Sequence, residues 1–225
     1  MRILAVDTTT PDGSIAVLDG PRVLAELAVR SSSTHSSRLL SSIHFLLKAL
    51  SLDIRDIGGF AVTPGPGSFT GIRIGLSTIK ALAFASGKPV ASVSSLRALA
   101  FRIADGAGRW MAPVLDAKKG EVYAALFDTA ANLAPAVREG AYLPEDFLGR
   151  VGSRRTVLFS GNGAELARAL IEKTLGKRAQ FSPRPPFIAA EVGILGAGAL
   201  GEGKGVRAED LEPLYYRSSQ AEEKR

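Results

Sequence analysis

The chain has 225 residues, 46% of them hydrophobic and 22% charged, so it can bury roughly 70–75% of the surface its unfolded form exposes. No apolar run in it approaches the roughly 20 residues needed to span a bilayer. It has no cysteine and two histidines, His35 and His44, which excludes disulfides, thiolate metal sites and cysteine nucleophiles and argues against a histidine-rich metal centre. The net charge of +6 permits contact with RNA or an acidic partner through counterion release. Its cations are dispersed, however, with small clusters only at Lys118-Lys119 and Arg154-Arg155. No aromatic–basic interleaving of the RNP type is present, which argues against sequence-specific nucleic-acid binding. The first residues read directly as a strand, without the apolar core and cleavage site of a signal peptide, so the expected location is cytoplasmic.

Residues 3–6, 14–18 and 23–29 read as three strands, separated by the turn signals Pro11-Asp12-Gly13 and Asp19-Gly20-Pro21, and such short connections make an antiparallel meander. After Ser33-Thr34, plausible N-caps, Leu39, Ile43, Leu46, Leu47 and Leu50 recur at helical spacing. Residues 60–63 then read as a strand, 68–86 as a long helix, 90–93 as a strand and 94–103 as a helix; this alternation implies parallel strands joined by crossovers. Polarity rises at Asp105-Gly106-Ala107-Gly108, where a lobe boundary is expected. Beyond it, residues 112–115, 122–127 and 136–142 read as strands, 156–160 as a strand leading through Gly161-Asn162-Gly163 into a helix over 164–175, and an Ala/Gly-rich helix follows Pro185-Pro186-Phe187. Strand–strand–strand–helix–strand–helix is thus written twice, the layout of an actin-like (ASKHA) fold: α/β, with two lobes, each a mixed sheet with flanking helices. The expected divisions are an N-terminal lobe over 1–104, a C-terminal lobe over 105–217 and a polar tail over 218–225.

The segment Val62-Thr63-Pro64-Gly65-Pro66-Gly67-Ser68-Phe69-Thr70-Gly71-Ile72-Arg73-Ile74-Gly75 fits neither phosphate-binding fingerprint. G-x-G-x-x-G would require glycine at Thr70, and no G-x-x-x-x-G-K-[ST] register exists. Ser68 reads as the cap of a helix on which Gly71 and Gly75 lie one turn apart on one face. Two readings follow: close helix packing inside the lobe, or a groove for a helix of another subunit.

This stretch, with Val93-Ser94-Ser95-Leu96-Arg97-Ala98-Leu99-Ala100, the opening Ile3-Leu4-Ala5-Val6-Asp7-Thr8, the hairpin Asp116-Ala117-Lys118-Lys119-Gly120-Glu121-Val122-Tyr123 and the closing Pro213-Leu214-Tyr215-Tyr216-Arg217, resembles the TsaB family, also called YeaZ. That family is paralogous to the catalytic subunit TsaD. The resemblance implies a non-catalytic subunit of the complex that makes threonylcarbamoyladenosine in tRNA. It would dimerise through its N-terminal lobe with a TsaD-type paralogue, so that the complex transfers threonylcarbamoyl to the adenosine next to the anticodon. The further implied partners are a TsaE-type ATPase, tRNA only through the complex, and a second copy of the chain when it is alone; no membrane is involved. The catalytic paralogue holds metal through His-x-x-x-His, where this chain matches with Ser95 and Leu99, and a leucine cannot ligate a divalent metal. No metal site and no catalytic residue are therefore expected.

On the actin-like layout, Asp7 and Thr8 stand at the first phosphate hairpin, where Pro11 removes an amide donor. Asp116 stands at the second, and Gly161, Asn162 and Gly163 lead into a helix N-terminus. These six residues are the candidate nucleotide site; no cofactor is required, and weak ATP or ADP binding is the expectation. Asp7 also reads as a plain strand end capping its turn, and the lysines as ordinary hairpin residues. The expected partner strip is Leu39, Ile43, Gly71, Gly75, Thr78 and Leu82. Two rival functions are a self-standing actin-like ATPase or phosphotransferase, disfavoured by the substituted hairpin, and a peptidase, for which neither a metal set nor a G-x-S-x-G nucleophile is present.

Overall fold

The computed structural model describes residues 1–30, 38–104, 110–154 and 156–216. Ser33, Thr34, His35, the glycines of the expected boundary, Arg155 and the 218–225 tail lie outside the described residues. The chain divides into two compact units. Unit 1 comprises Met1–Ser95 and Phe187–Leu214, and unit 2 comprises Leu96–Pro186 and Tyr215–Arg225.

In unit 1, β1 (Arg2–Asp7), β2 (Asp12–Asp19) and β3 (Arg22–Arg30) form the expected meander. Then come α1 (Leu39–Ala49), β4 (Gly59–Val62), α2 (Phe69–Ser86) and β5 (Val90–Ser92), with β4 parallel to β1 and β5 parallel to β4. The sheet order is β3-β2-β1-β4-β5. Strand alternation sends Leu4, Val6, Val17, Phe60 and Val62 to one face, where they pack with Ile43, Leu46 and Leu47 of α1 and Ile72, Leu76 and Ile79 of α2.

The opposite face is covered by a helix from the far end of the chain, α7 (Ala189–Gly201), which packs on β1, β2, β4 and β5. A Cβ at Gly196 would lie 2.6 Å from Cβ of Ala61, so the helix lies nearly flat on the sheet. Its first turn is held from the meander: the Ile188 and Ala189 amides donate to Ser14 Oγ at 3.2 and 3.0 Å, and the Ala190 amide to Glu26 Oε1 at 3.1 Å. This corrects the expected division at 104/105. Residues 187–214 return to unit 1, because the small residues of α7 fit the first sheet and chain order alone does not say which sheet a last helix covers.

Unit 2 repeats the arrangement. β6 (Trp110–Lys118), β7 (Glu121–Asp128) and β8 (Ala134–Tyr142) are antiparallel, and β9 (Val157–Ser160) and β10 (Ala179–Phe181) continue in parallel, giving β10-β9-β6-β7-β8. α3 (Ser95–Ile103) leads into it, and α4 (Pro144–Val151), α5 (Asn162–Leu166) and α6 (Arg168–Leu175) complete it. The core joins Val114, Leu126 and Phe159 to Phe147, Leu148, Val151, Ile171 and Leu175. Two elements were absent from the sequence reading, α4 and β10. For α4 a signal exists in Pro144 at the first helical position with Glu145 and Asp146 behind it. The helix expected over 164–175 is broken at Ala167 into α5 and α6.

Candidate functional site

In unit 1 the candidate residues stand at the C-terminal end of β1. Asp7, Thr8, Thr9 and Thr10 are all buried, Asp7 completely. Asp7 Oδ1 accepts three hydrogen bonds, from the Thr9 amide at 3.1 Å, the Thr9 hydroxyl at 2.7 Å and the Thr63 hydroxyl at 2.6 Å. A carboxylate so engaged clamps the end of β1, its turn and the end of β4 together; this is the structural reading of Asp7. Thr8 Oγ1 donates to the Gly71 carbonyl at 2.7 Å.

The Gly-Pro-Gly-Ser-Phe-Thr-Gly run closes over this end of the strand, with the Gly65–Pro66 bond cis. Its main chain is tied on all sides. The Ser68 amide donates to the Thr9 carbonyl at 2.7 Å, the Leu214 amide to Pro64 O at 2.8 Å and the Ser95 amide to Gly65 O at 2.9 Å. Ser95 Oγ donates to Pro66 O at 2.6 Å. Ser68 caps α2 as expected, accepting from the Gly71 amide at 3.2 Å. A side chain at Gly65 would meet Leu214 O at 2.6 Å, and one at Gly67 would meet Thr9 Cβ at 2.7 Å. Glycine is needed here for close approach of backbone to backbone.

The partner strip needs correction. Gly71 and Gly75 are buried and face Thr8: a Cβ at Gly71 would overlap the Thr8 carbonyl oxygen, and one at Gly75 the Thr8 hydroxyl. Leu39 and Ile43 are buried in the sheet core, and Thr78 and Leu82 are half-buried. The face of α1 and α2 that looks outward is rotated from the expected strip. It carries Leu40, 58% exposed, with Thr70, Ile74, Ser77 and Thr78 lining a groove of about 450 Å³. Phe84, further along α2 at helical spacing from Ser77, is also exposed. Helical periodicity alone could not choose between the faces, because α2 bears apolar or small residues on both.

In unit 2 the structure brings Asp116, Gly161, Asn162 and Gly163 together. The Asp116 amide donates to Asn162 Oδ1 at 3.2 Å, and a Cβ at Gly163 would lie 2.6 Å from the Leu115 carbonyl carbon and 2.9 Å from the Asp116 nitrogen. The Asp116 carboxylate is taken up locally, by the Lys118 amide at 2.8 Å and the Lys118 ammonium at 2.5 Å. Lys119 and Gly120, with φ of 53° and 80°, form a two-residue turn of left-handed backbone conformation, whose twist matches the right-handed twist of the flanking strands. Each unit therefore ends its first strand in an aspartate held by its own neighbours, with glycines of a strand-to-helix turn packed against that strand. Thr9 and Thr63, which do the holding in unit 1, were not expected from sequence to be donors to Asp7; their signal is hydroxyl residues at the ends of two strands that also pair. Removing one donor, by Thr63→Val, is expected to cost about 2 kcal/mol and to lower the melting temperature by about 4–8 °C in a thermal melt.

Ser95, one of the two positions matched to metal ligands, spends its hydroxyl on Pro66, and Leu99, the other, is buried. His44 is exposed on α1. Among the described residues no group of three or more His, Cys, Asp or Glu could hold a metal ion, and no helix is long and apolar enough to cross a membrane.

The family described as TsaD, tRNA N6-adenosine threonylcarbamoyltransferase, matches residues 27–224. Over the full chain and 97% of the relative, the sequence is 34% identical to the tRNA threonylcarbamoyladenosine biosynthesis protein TsaB of Bacillus subtilis (strain 168). It is 30% identical to the protein of the same name from Escherichia coli (strain K12), over 98% of this chain and 96% of that one. The solved structure of YeaZ from Pseudomonas aeruginosa superposes with a TM-score of 0.80 at 28% identity, covering 95% of this chain and 99% of that one. This chain belongs to the TsaB/YeaZ family. The actin-like two-lobe α/β fold expected for that family is the one described above, down to the same strand order in both sheets.

Proposed function

We propose that this TsaB-family chain takes part in the biosynthesis of tRNA threonylcarbamoyladenosine as a non-catalytic subunit. On this reading it pairs with a TsaD-type catalytic paralogue, in a complex that also includes a TsaE-type ATPase, and reaches tRNA through that complex. The observation that carries the reading is the full-length kinship with two proteins named for that biosynthesis. The non-catalytic part is supported by Ser95 and Leu99 at the positions matched to metal ligands, and by the engagement of Asp7 and Asp116 with their own neighbours. The pairing surface is the outward groove of α1 and α2, where Leu40, Ile74, Ser77 and Thr78 suit close helix packing beside Arg73. No cofactor is needed for such a role, and any ATP or ADP binding is weak, because Pro11 removes an amide donor from the first hairpin.

Reconstitution tests this. Transfer of threonylcarbamoyl to a tRNA transcript should require both this chain and the paralogue, the two should co-elute, and calorimetric titration of the chain alone with ATP should give a Kd of about 1 mM or weaker. Steady transfer or ATP hydrolysis by the chain alone, lost in Asp7→Ala, would favour the phosphotransferase reading instead.

A further inference from the structure

The entire net charge of the protein falls in one unit. Of 28 Lys and Arg and 22 Asp and Glu, unit 1 contains 11 of each, which leaves 17 cations and 11 anions in unit 2. Within unit 2, two pairs of cations distant in sequence, Arg150 with Arg154 and Lys177 with Arg178, come to the C-terminal end of α4. Arg154 gives Nη1 to the carbonyls of Arg150 and Val151 at 3.1 and 2.6 Å. Arg178 gives Nη1 to the carbonyls of Gly152 and Arg154 at 2.8 and 3.1 Å. The Arg150 guanidinium lies 5.4 Å from the centre of the Tyr142 ring, that of Arg154 4.8 Å from Trp110. Lys177, exposed, precedes Arg178 in a 3-10 turn.

These contacts orient the side chains without cancelling their charge. Carbonyls at a helix C-terminus and aromatic faces both attract cations, but neither is an anion. Among the described residues no carboxylate pairs with Arg150, Arg154, Lys177 or Arg178, whereas Arg168 of the same unit is paired with both Glu165 and Glu172. Each of Arg154 and Arg178 uses only Nη1 on its carbonyls, so the remaining guanidinium donors keep the planar fork that matches a phosphate. Arg154 and Arg178 both bring their guanidinium to the turn over 150–154, and like charges so placed repel one another within a Debye length of about 8 Å. Binding a polyanion relieves that repulsion.

We propose that the arginine cluster at the end of α4 is a docking site for the sugar–phosphate backbone of RNA. On the reading above, with tRNA as the substrate of the complex, this non-catalytic subunit contributes a sequence-independent grip on it. The guanidinium fork fits carboxylate as well as phosphate; RNA is favoured over an acidic protein surface because tRNA is the substrate on the reading above, and phosphate contacts alone give a sequence-independent grip.

The test uses the full-length chain, alone and paired with the catalytic paralogue, and an unmodified tRNA transcript whose binding is followed by fluorescence anisotropy across a salt series. In Arg150→Gln/Lys177→Gln, both positions being exposed, affinity should fall about tenfold or more and the slope of log affinity against log salt should shrink by about two. Arg22→Gln/Arg55→Gln, which removes the same charge from unit 1, should leave both unchanged. Equal loss in the two variants, no loss in either, or no tRNA binding by a chain that still co-elutes with its paralogue would overturn the proposal. Displacement of tRNA by polyglutamate as readily as by a phosphate polymer would overturn it in favour of an acidic protein partner. Failure to co-elute would count against the partner-subunit reading alone, since the free chain still reports on the cluster.

Discussion

Gly71→Leu is expected to cost more than 3 kcal/mol, lowering the melting temperature by roughly 6–12 °C or more, or to prevent folding at 37 °C. The helix cannot move away from the strand end to make room, because Thr8 Oγ1 is bonded to the Gly71 carbonyl and the Ser68 amide to Thr9. Even the first carbon of the new side chain overlaps the Thr8 carbonyl oxygen, and main-chain atoms cannot swing aside as a flexible side-chain tip can. Gly75→Leu should behave alike through the Thr8 hydroxyl. The control is Gly198→Ala on α7, where a Cβ meets nothing within 4 Å. There the gain in helix propensity should stabilise by up to about 1 kcal/mol. A Gly71→Leu protein that melts like the wild type would mean that the packing of α2 on β1 is not as described.

The second large effect is on pairing. Leu40→Asp combined with Ser77→Asp puts two like charges into the outward groove of α1 and α2, and should weaken co-elution with the catalytic paralogue by at least about 2 kcal/mol, or roughly thirty-fold. A charge desolvated at the centre of a helix–helix contact has no partner and cannot be hydrated there. Both side chains are exposed in the isolated chain, so the melting temperature should change by no more than about 2 °C. The melt is best repeated at low protein concentration, since copies of the chain could pair through the same face. Undiminished co-elution would remove this face from the proposed interface.

Much of the fold was written in the local pattern. The meander over β1–β3, the long α2 and the return of the same element order in the second half all follow from turn residues and from a switch between two-fold and 3.6-fold periodicity. Each of those cues is held within a few residues of chain. The cap at Ser68 and the hairpin turn at Lys119-Gly120 were legible for the same reason. The family motif was legible too, although its physical role was not.

Contacts between residues distant in sequence could be decided only by the tertiary structure. Thr63 and Asp7 are 56 residues apart and meet because β4 lies beside β1. Ser14 and Ala189 are 175 apart, and it is this cap, with the small residues of α7, that gives the last helix to the first sheet. Gly71 and Gly75 mark a close approach, and the sequence says as much. Whether the approaching atom belongs to another subunit or to Thr8 depends on the rotation of α2 about its axis. That rotation is set by the burial of Ile72, Leu76 and Ile79 against the sheet, a sum over long-range contacts that no local spacing encodes. Arg154 and Arg178 are 24 residues apart, and they meet only because α4 and the turn after α6 end at the same place.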